Sequence, residues 1–240
     1  MRSGIDEAGL GPKVGSLFVV GIDVEGDLSG IRESKEIFRR DIRGYGLGES
    51  IVLSALRSLG IPHGSVGELF YKLFGWSESF LYEQKIPSFG GEYLNLTFKV
   101  KGIFAERITA EKLRKNRFLE DARVICSIAE KLNGKEVIAG MAGGFRDYGR
   151  FLKGWERLDG VTYRKGEKIL RFAVSADKKF KEVALASIFA KYFRELEMKS
   201  LNRILGFDGI IPHFSGYPSD RKTEDLIKLL KSSGLEGFIR

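Results

Sequence analysis

The first 25 residues constrain the fold most strongly, because they contain two strand patterns separated by a glycine-rich loop. Residues 1–7 and 16–25 are predicted as strands, and the second is almost continuously apolar, as is typical of a buried strand. The loop between them carries Gly9 and Gly11. The chain is therefore predicted to begin with a hairpin whose loop holds the glycines.

Strand and helix patterns alternate along the rest of the chain. Ser34 is a predicted N-cap for a short helix to about Arg43, and Thr109 for a long amphipathic helix to about Leu132. Further predictions are a strand over 93–104, a strand over 136–139, a charged helix or loop to Trp155, a hairpin around 164–167 with its second strand over 169–174, and a helix from Lys179 to about Leu205. Because strands and helices interleave, we expect an α/β class with a mixed sheet flanked by helices.

Two further segments carry information about the architecture. Residues 183–190 are apolar on every side of the last long helix, which predicts a central, buried helix. Residues 44–92 are punctuated by glycines and include an aromatic-rich run over 70–89. We expect a single domain over residues 1–240, with 44–92 as an insertion that contains some helix.

The charge and composition of the chain restrict the kind of partner and the location of the protein. The net charge is +8, and basic clusters lie at 39–43, 112–117 and 178–181. Nucleic acid is the leading partner, while the alternative for each cluster is a solvated helix face. No window approaches 18 apolar residues and no signal-peptide core is present, so we expect a cytoplasmic protein with no membrane contact. One glutamine and four asparagines beside 30% charged residues suggest a thermophile.

The few sulfur and imidazole side chains restrict the kind of metal site. Cys126 lies in an apolar helical pattern and is predicted to pack in the core, and only His63 and His213 supply imidazoles. A zinc site of cysteine and histidine is therefore not expected. Any metal is expected to be held by oxygen ligands, which favours magnesium or manganese.

Three carboxylates are candidate ligands for such a metal. Asp6 and Glu7 are adjacent at the end of the first predicted strand, where they could collect a hard divalent cation. Asp177 lies at the start of the buried helix. The alternatives are loop solvation for the pair and an N-cap role for Asp177.

Four separated segments, taken in order, resemble the ribonuclease HII (type 2 ribonuclease H) family, especially its archaeal branch. The segments read GIDEAGLGP from Gly4, RESK from Arg32, ADKK from Ala176 together with ASIFAK from Ala186, and SGYPSD from Ser215. A weaker match places Asn116 at the asparagine of the family's long helix. The resemblance covers about residues 1–43 and 97–240.

The resemblance implies a ribonuclease H-like fold and metal-dependent cleavage of RNA in RNA/DNA hybrids, including cleavage at ribonucleotides embedded in duplex DNA. It also implies that Asp6, Glu7 and Asp177 are three of the family's four catalytic metal ligands. Two divalent ions in such a site activate water and stabilise the leaving oxygen of a phosphodiester.

The resemblance further implies a set of substrate-binding residues. Gly9, Leu10 and Gly11 match the family loop that recognises the 2′-hydroxyl side of the ribonucleotide junction, although Leu10 stands where the family has a cation. Tyr217 matches a tyrosine that packs on the sugar. The remaining matches are Ser34, Lys35 and Lys191. The alternatives are a tight turn for the loop, a buried turn tyrosine for Tyr217 and a surface lysine for Lys191.

One family ligand is missing from the sequence. The family's third carboxylate follows the strand at 137–139, where this chain has Gly140, and a neighbouring family aspartate falls near Gly143 or Gly144. Asp147 is the nearest downstream carboxylate and a weak substitute. We therefore expect weakened hydrolysis by a degenerate active site. The alternative is a catalytically inactive nucleic-acid-binding or protein-interaction module, with 44–92 as the surface for a protein partner.

Overall fold

The computed structural model describes residues 1–39, 41–143 and 145–240. Arg40, in a predicted basic cluster, and Gly144, near a family aspartate position, lie outside the described residues.

A seven-stranded mixed sheet forms the centre of the structure, with strands in the order β3-β2-β1-β4-β7-β6-β5. The strands are β1 (Arg2–Ala8), β2 (Leu17–Gly26), β3 (Phe98–Ile108), β4 (Glu136–Gly140), β5 (Glu156–Asp159), β6 (Thr162–Lys165) and β7 (Lys168–Ala173). The predicted hairpin is confirmed, since β1 and β2 pair antiparallel across the glycine loop. Strand β1 is parallel to β4, with Ile5 opposite Ala139, so both strands end at the same edge of the sheet.

Seven α-helices accompany the sheet in the described part of the chain. They are α1 (Ser34–Ile37), α2 (Ile42–Ser58), α3 (Val66–Phe74), α4 (Ala110–Lys131), α5 (Ala176–Lys179), α6 (Lys181–Ile204) and α7 (Thr223–Ser232). Short 3-10 helices span Ser79–Glu83, Tyr148–Phe151 and Glu236–Phe238. The mixed sheet with flanking helices confirms the predicted fold class.

Helices α4 and α6 cover opposite faces of the sheet. Ile5 packs with Ala122 and Ile125 of α4, whereas Ala8 belongs to the cluster that contains the apolar residues of α6. Because side chains of a strand alternate between faces, odd positions of β1 face α4 and even positions face α6. Residues 183–190 of α6 are all buried, so the predicted central helix is confirmed.

The predicted helix from Ser34 to Arg43 is wrong. Helix α1 ends at Ile37, and α2 begins at Ile42 because the Asp41 side chain caps it by accepting a hydrogen bond from the Gly44 amide at 2.7 Å. Ser34 is the first helical residue rather than the N-cap, a position that Glu33 occupies.

The predicted strand over 93–104 is displaced toward the N-terminus of the observed strand β3, which spans Phe98–Ile108. Strand β3 starts at Phe98, and the residues before it are bound to α2 instead of the sheet. The amides of Glu92 and Leu94 donate to the hydroxyls of Ser50 and Ser54 at 2.8 and 2.7 Å. These side-chain acceptors replace the strand partners that a β-ladder would have supplied.

Two predicted long helices contain interruptions. Helix α4 is kinked at Asn116 (φ −160°, ψ 89°), whose side-chain oxygen accepts from the Leu119 amide at 3.1 Å and so caps the second half of the helix. Thr109 holds the N-cap position but makes no side-chain capping bond. The other predicted helix is divided by extended Phe180 into α5 and α6. The charged stretch before Trp155 contains a 3-10 helix, and the following strand β5 was not predicted.

A buried glutamate holds segment 44–92 against α6. Glu49 is fully buried, and its carboxylate accepts from the amides of Ser88, Phe89 and Gly91 at 2.6, 2.7 and 2.8 Å. The Tyr192 hydroxyl of α6 donates to the same carboxylate at 3.0 Å. The carboxylate thus joins both ends of the segment to the central helix.

In the described residues, no helix is both long and apolar enough to cross a membrane.

We expect Glu49→Ala to lower the free energy of unfolding by about 3 kcal/mol or more, because it leaves the buried Phe89 amide, the half-buried amides of Ser88 and Gly91 and the Tyr192 hydroxyl without this acceptor. Urea denaturation measures this change. Glu92→Ala is the matched control, because the Glu92 side chain is exposed. Equal stability of the two variants would contradict the assigned role of Glu49.

Candidate active site

The side chains of Asp6 and Glu7 leave β1 on opposite faces of the sheet, and their carboxylates meet at the strand end beside Gly140. Asp6 faces α6, and its carboxylate accepts a hydrogen bond from the Ser187 hydroxyl. Glu7 shares the face of Ile5, which α4 covers. The strand end therefore carries two carboxylates whose side chains start on different faces of the sheet.

The missing side chain of Gly4 lets α6 approach β1 closely. A Cβ at Gly4 would lie 2.4 Å from the carbonyl carbon of Glu182, in the first turn of α6. Any other residue at position 4 would push the helix away from the strand. The close approach places Ser187, two turns into α6 from its start, beside Asp6.

The structure brings all the predicted site residues into one cleft of about 410 Å³. The cleft is lined by Asp6, Glu7, Asp177, Gly9, Leu10, Gly11, Ser34, Lys35, Lys191 and Tyr217, together with Ala8, Gly140, Met141, Ser175, Ala176 and Ser187. Asp177 lies in α5 and is not its N-cap, a position that Ser175 holds. The capping alternative for Asp177 is therefore wrong.

The carboxylates destabilise each other's charged forms. Burial, followed by the charge of Glu7, raises the pKa of Asp6 well above its usual value. Burial, followed by the charge of Asp121 in α4, raises the pKa of Glu7 to about 8. Asp177 adds to both shifts. The cleft thus holds more negative charge than its surroundings neutralise.

This charge and donor set fit a divalent cation. The cleft supplies carboxylate oxygens, whereas the thiol of Cys126 is buried in a core cluster. However, nowhere in the described part of the chain do three or more carboxylate, imidazole or thiol side chains already converge to hold an ion. Asp6 and Glu7 form a hydrogen-bonded pair, to which the nearby charge of Asp177 is added.

Gly140 lies directly beside this pair, at the end of β4. A Cβ at this position would lie 2.6 Å from Asp6 Oδ1 and 3.3 Å from Glu7 Oε2. The Asp6 carboxylate thus occupies the space that a side chain at position 140 would need. Asp147 is exposed, precedes the 3-10 helix Tyr148–Phe151 and does not line the cleft.

The two loop glycines differ in what they require. Gly9 has a φ of 107°, and a Cβ there would lie 2.5 Å from the Ser16 carbonyl oxygen, so the turn itself demands glycine. Gly11 is exposed, and its Cβ would meet only the Tyr217 ring at 4.0 Å. Glycine at position 11 therefore widens the space between the loop and the ring.

The Tyr217 ring is held by two cations of α6. The Arg194 guanidinium lies 4.6 Å from the ring centroid and the Lys191 ammonium 5.5 Å from it. Lys191 also pairs with Glu195 at 2.7 Å, and its side chain is only 19% exposed. Lys191 is therefore an anchored cleft residue rather than a surface lysine.

Two residues of this site were not predicted from the sequence. Ser187 is 5% exposed and joins Asp6 to Ser34, whose hydroxyl lies 2.9 Å from its own. The sequence feature that could have indicated Ser187 is a lone hydroxyl in an otherwise apolar stretch of α6. Asp121 on α4 is completely buried, and its charge acts on Glu7 although it does not line the cleft. The sequence feature that could have indicated it is a carboxylate three and four residues before apolar Val124 and Ile125 on the buried face of α4.

Comparisons with known proteins show similarity to ribonucleases H of types HII and HIII over parts of the chain. A ribonuclease HII family model matches residues 159–240. A ribonuclease HIII of Bacillus pumilus (strain SAFR-032) is 33% identical over 122 residues, 49% of this chain and 36% of the relative. A ribonuclease HII of Methanothermobacter thermautotrophicus is 41% identical over 68 residues, 27% of this chain and 31% of the relative. The match thus spans about a third of the length of these curated relatives.

The crystal structure of the ribonuclease H2 from Pyrococcus horikoshii OT3 superposes with a TM-score of 0.55 at 19% identity, covering 100% of this chain and 92% of that one. The chain therefore has a ribonuclease H-like fold. Residues 159–240 are similar to the ribonuclease HII family, so the resemblance inferred from the sequence motifs is confirmed over this part of the chain.

We expect the pH dependence of stability in the metal-free protein to depend on Glu7. Its pKa is about 8 in the folded protein against an ordinary value of 4.5, so the folded state binds more protons between these values. The stability contributed by protonated Glu7 is therefore complete below pH 4.5 and lost as the pH rises through 8.

Urea denaturation in excess chelator measures this dependence. The free energy of unfolding of Glu7→Gln relative to wild type should increase steadily from pH 5 to pH 8. The exposed Glu167→Gln variant is the control and should show no such trend. A constant difference for Glu7→Gln would show that Glu7 is not buried against other charges.

Proposed function

We propose that the protein binds RNA/DNA hybrid, or duplex DNA containing a ribonucleotide, and cleaves the RNA strand in a metal-dependent reaction. The observation that carries this proposal is the contacting pair of buried Asp6 and half-buried Glu7 on the wall of a cleft that also contains Gly11 and Tyr217. The incomplete carboxylate set at Gly140 makes the reaction weak.

A basic groove beside the cleft supports nucleic-acid binding. The groove shares Gly11 with the cleft and has a volume of about 570 Å³. Its cationic lining consists of Lys13, Arg114, Lys115, Arg117 and Arg240. Such a groove fits a phosphate backbone, whose contacts fix the register of a duplex without reading its sequence. A duplex in the groove would enter the cleft past the glycine loop.

In this proposal, some residues of the cleft bind the metal and others orient its ligands. Asp6, Glu7 and Asp177 would hold magnesium or manganese, which when bound supplies an activated water and stabilises the leaving oxygen at the phosphate. The hydroxyls of Ser34 and Ser187 orient the Asp6 carboxylate.

On the substrate side, the backbone of Gly9, Leu10 and Gly11 would face the ribose beside the Tyr217 ring. Lys35 is exposed and lines the same cleft, where its charge would meet a phosphate. Lys191 contributes mainly by holding Tyr217, because its own charge is paired with Glu195.

A second candidate is a module on the same fold that binds nucleic acid or protein without cleavage. Gly140, Leu10 and the lack of a ready three-ligand group among the described residues favour it. We also propose that 44–92 is an insertion within one domain and presents a partner surface, which the exposed Tyr71 and Tyr82 side chains support.

Cleavage of duplex DNA with one embedded ribonucleotide, assayed in magnesium and in manganese, decides between the two candidates. We expect slow cleavage at the ribonucleotide by wild type and at least a 100-fold slower reaction by Asp6→Asn, on the order of a lost ligand. Binding followed by fluorescence anisotropy in chelator should persist in both proteins. Binding without cleavage at high protein concentration would favour the second candidate. Absence of duplex binding would contradict the first candidate and the nucleic-acid-binding form of the second.

Gly140→Asp should increase both manganese affinity and cleavage rate by roughly 10-fold or more, because it restores a carboxylate at the end of β4. The new Cβ displaces only the flexible end of the Asp6 side chain. Gly140→Ala is the matched control, because it adds the Cβ without the carboxylate. Isothermal titration with manganese checks the affinity, and equal affinities of the two variants would contradict this account of position 140.

A further inference from the structure

Asp121 is a fully buried carboxylate with no apparent partner. Its exposed fraction is 0%, and neither carboxylate oxygen has a hydrogen-bond partner in the part of the chain that the structure describes. A buried charge of this kind is costly unless it is neutralised. The structure therefore leaves Asp121 in need of a proton or a cation.

The other completely buried carboxylates of the described residues are all satisfied. Glu49 accepts four hydrogen bonds, as described above. Asp23 accepts from Ser3 and from the backbone and side chain of Asn133. Glu197 accepts from Ser16 and forms an ion pair with Arg107 at 2.6 Å. The fold thus provides partners for its structural carboxylates, and Asp121 is the exception.

Asp121 lies on the side of α4 that packs near the end of β4. The second half of α4 begins at Asn116, and a Cβ at Gly143 would overlap the Phe118 ring, so this turn of the helix packs on the residues that follow β4. Asp121 lies three residues after Phe118 and therefore on the same side of the helix.

Glu7 approaches Asp121 from the sheet. It lies on the side of β1 that α4 covers, as Ile5 does. Burial is the main cause of the raised pKa values of Glu7 and Asp121. The Asp121 charge adds to the shift of Glu7, and the Asp6 charge adds to the shift of Asp121. The three carboxylates therefore share one electrostatic environment.

We propose that Asp121 replaces the carboxylate absent at Gly140 and binds a divalent cation together with Glu7, from the α4 side of the sheet. This inference rests on the proposed metal-dependent function and extends its ligand set to a helix. A carboxylate at position 140 and the carboxylate of Asp121 would both offer oxygen ligands, the first from the end of β4 and the second from α4. The helix ligand compensates for the lost strand ligand in charge, though in a different geometry.

Manganese binding by isothermal titration calorimetry tests Asp121 directly. We expect Asp121→Asn to weaken manganese binding at least 10-fold relative to wild type. Glu120→Gln is the matched control on α4, because Glu120 pairs with Arg123 at the surface, and it should bind as wild type does. Wild-type affinity in Asp121→Asn, with weakened binding in Asp6→Asn, would overturn the role of Asp121 and leave the proposed function standing.

Thermal denaturation separates a metal ligand from a protonated core residue. In chelator, Asp121→Asn should melt at a higher temperature than wild type, because the variant removes a buried carboxylate without partners. In manganese, wild type should gain more in melting temperature than the variant does. An equal gain in both proteins would overturn the proposal.

The double variant Gly140→Asp/Asp121→Asn tests whether the two positions are interchangeable. We expect it to recover manganese affinity at least 10-fold over Asp121→Asn alone. Affinity no better than that of Asp121→Asn would overturn the replacement. If wild type itself binds no manganese, both this inference and the metal-dependent part of the proposed function fail, while duplex binding in chelator still tests the second candidate function.

Discussion

The close packing of α6 on β1 at Gly4 determines where the groups of the cleft lie. Because no side chain separates Gly4 from the backbone of Glu182, the helix starts against the strand and runs over its end. Ser187 then reaches Asp6, and further along the helix Lys191 and Arg194 reach the Tyr217 ring. One backbone contact thus aligns the carboxylate pair with the aromatic ring across the cleft.

The electrostatics of the cleft follow from this compact arrangement. Asp6 and Glu7 are in contact at low solvent exposure, and Asp121 and Asp177 add further negative charge. Position 140 adds no carboxylate beside Asp6, whereas the buried charge of Asp121 on α4 acts on Glu7. In the proposed account Asp121 supplies the negative charge that position 140 lacks, and a bound cation would relieve the repulsion.

The sequence predicted the features that depend on local pattern. The first hairpin follows from two apolar strands around glycines, and the burial of α6 follows from its uniformly apolar turns. The family motifs identified ten residues that line one cleft. The features that depend on distant partners were not predictable: Ser50 and Ser54 bind the residues that resembled an early strand β3, and Asn116 interrupts α4. Asp121 was not predictable as a site residue, because a lone carboxylate on an apolar helix face belongs to no recognisable sequence motif.

The central claim is that a divalent cation binds at the end of β1 although β4 supplies no carboxylate. The most direct measurement is an anomalous difference map from crystals of the wild-type protein grown with manganese. The account predicts a peak in contact with Glu7 and Asp121, beside Asp6. Carboxylates that remain paired without any peak, or a peak bound only by residues outside the cleft, would contradict it.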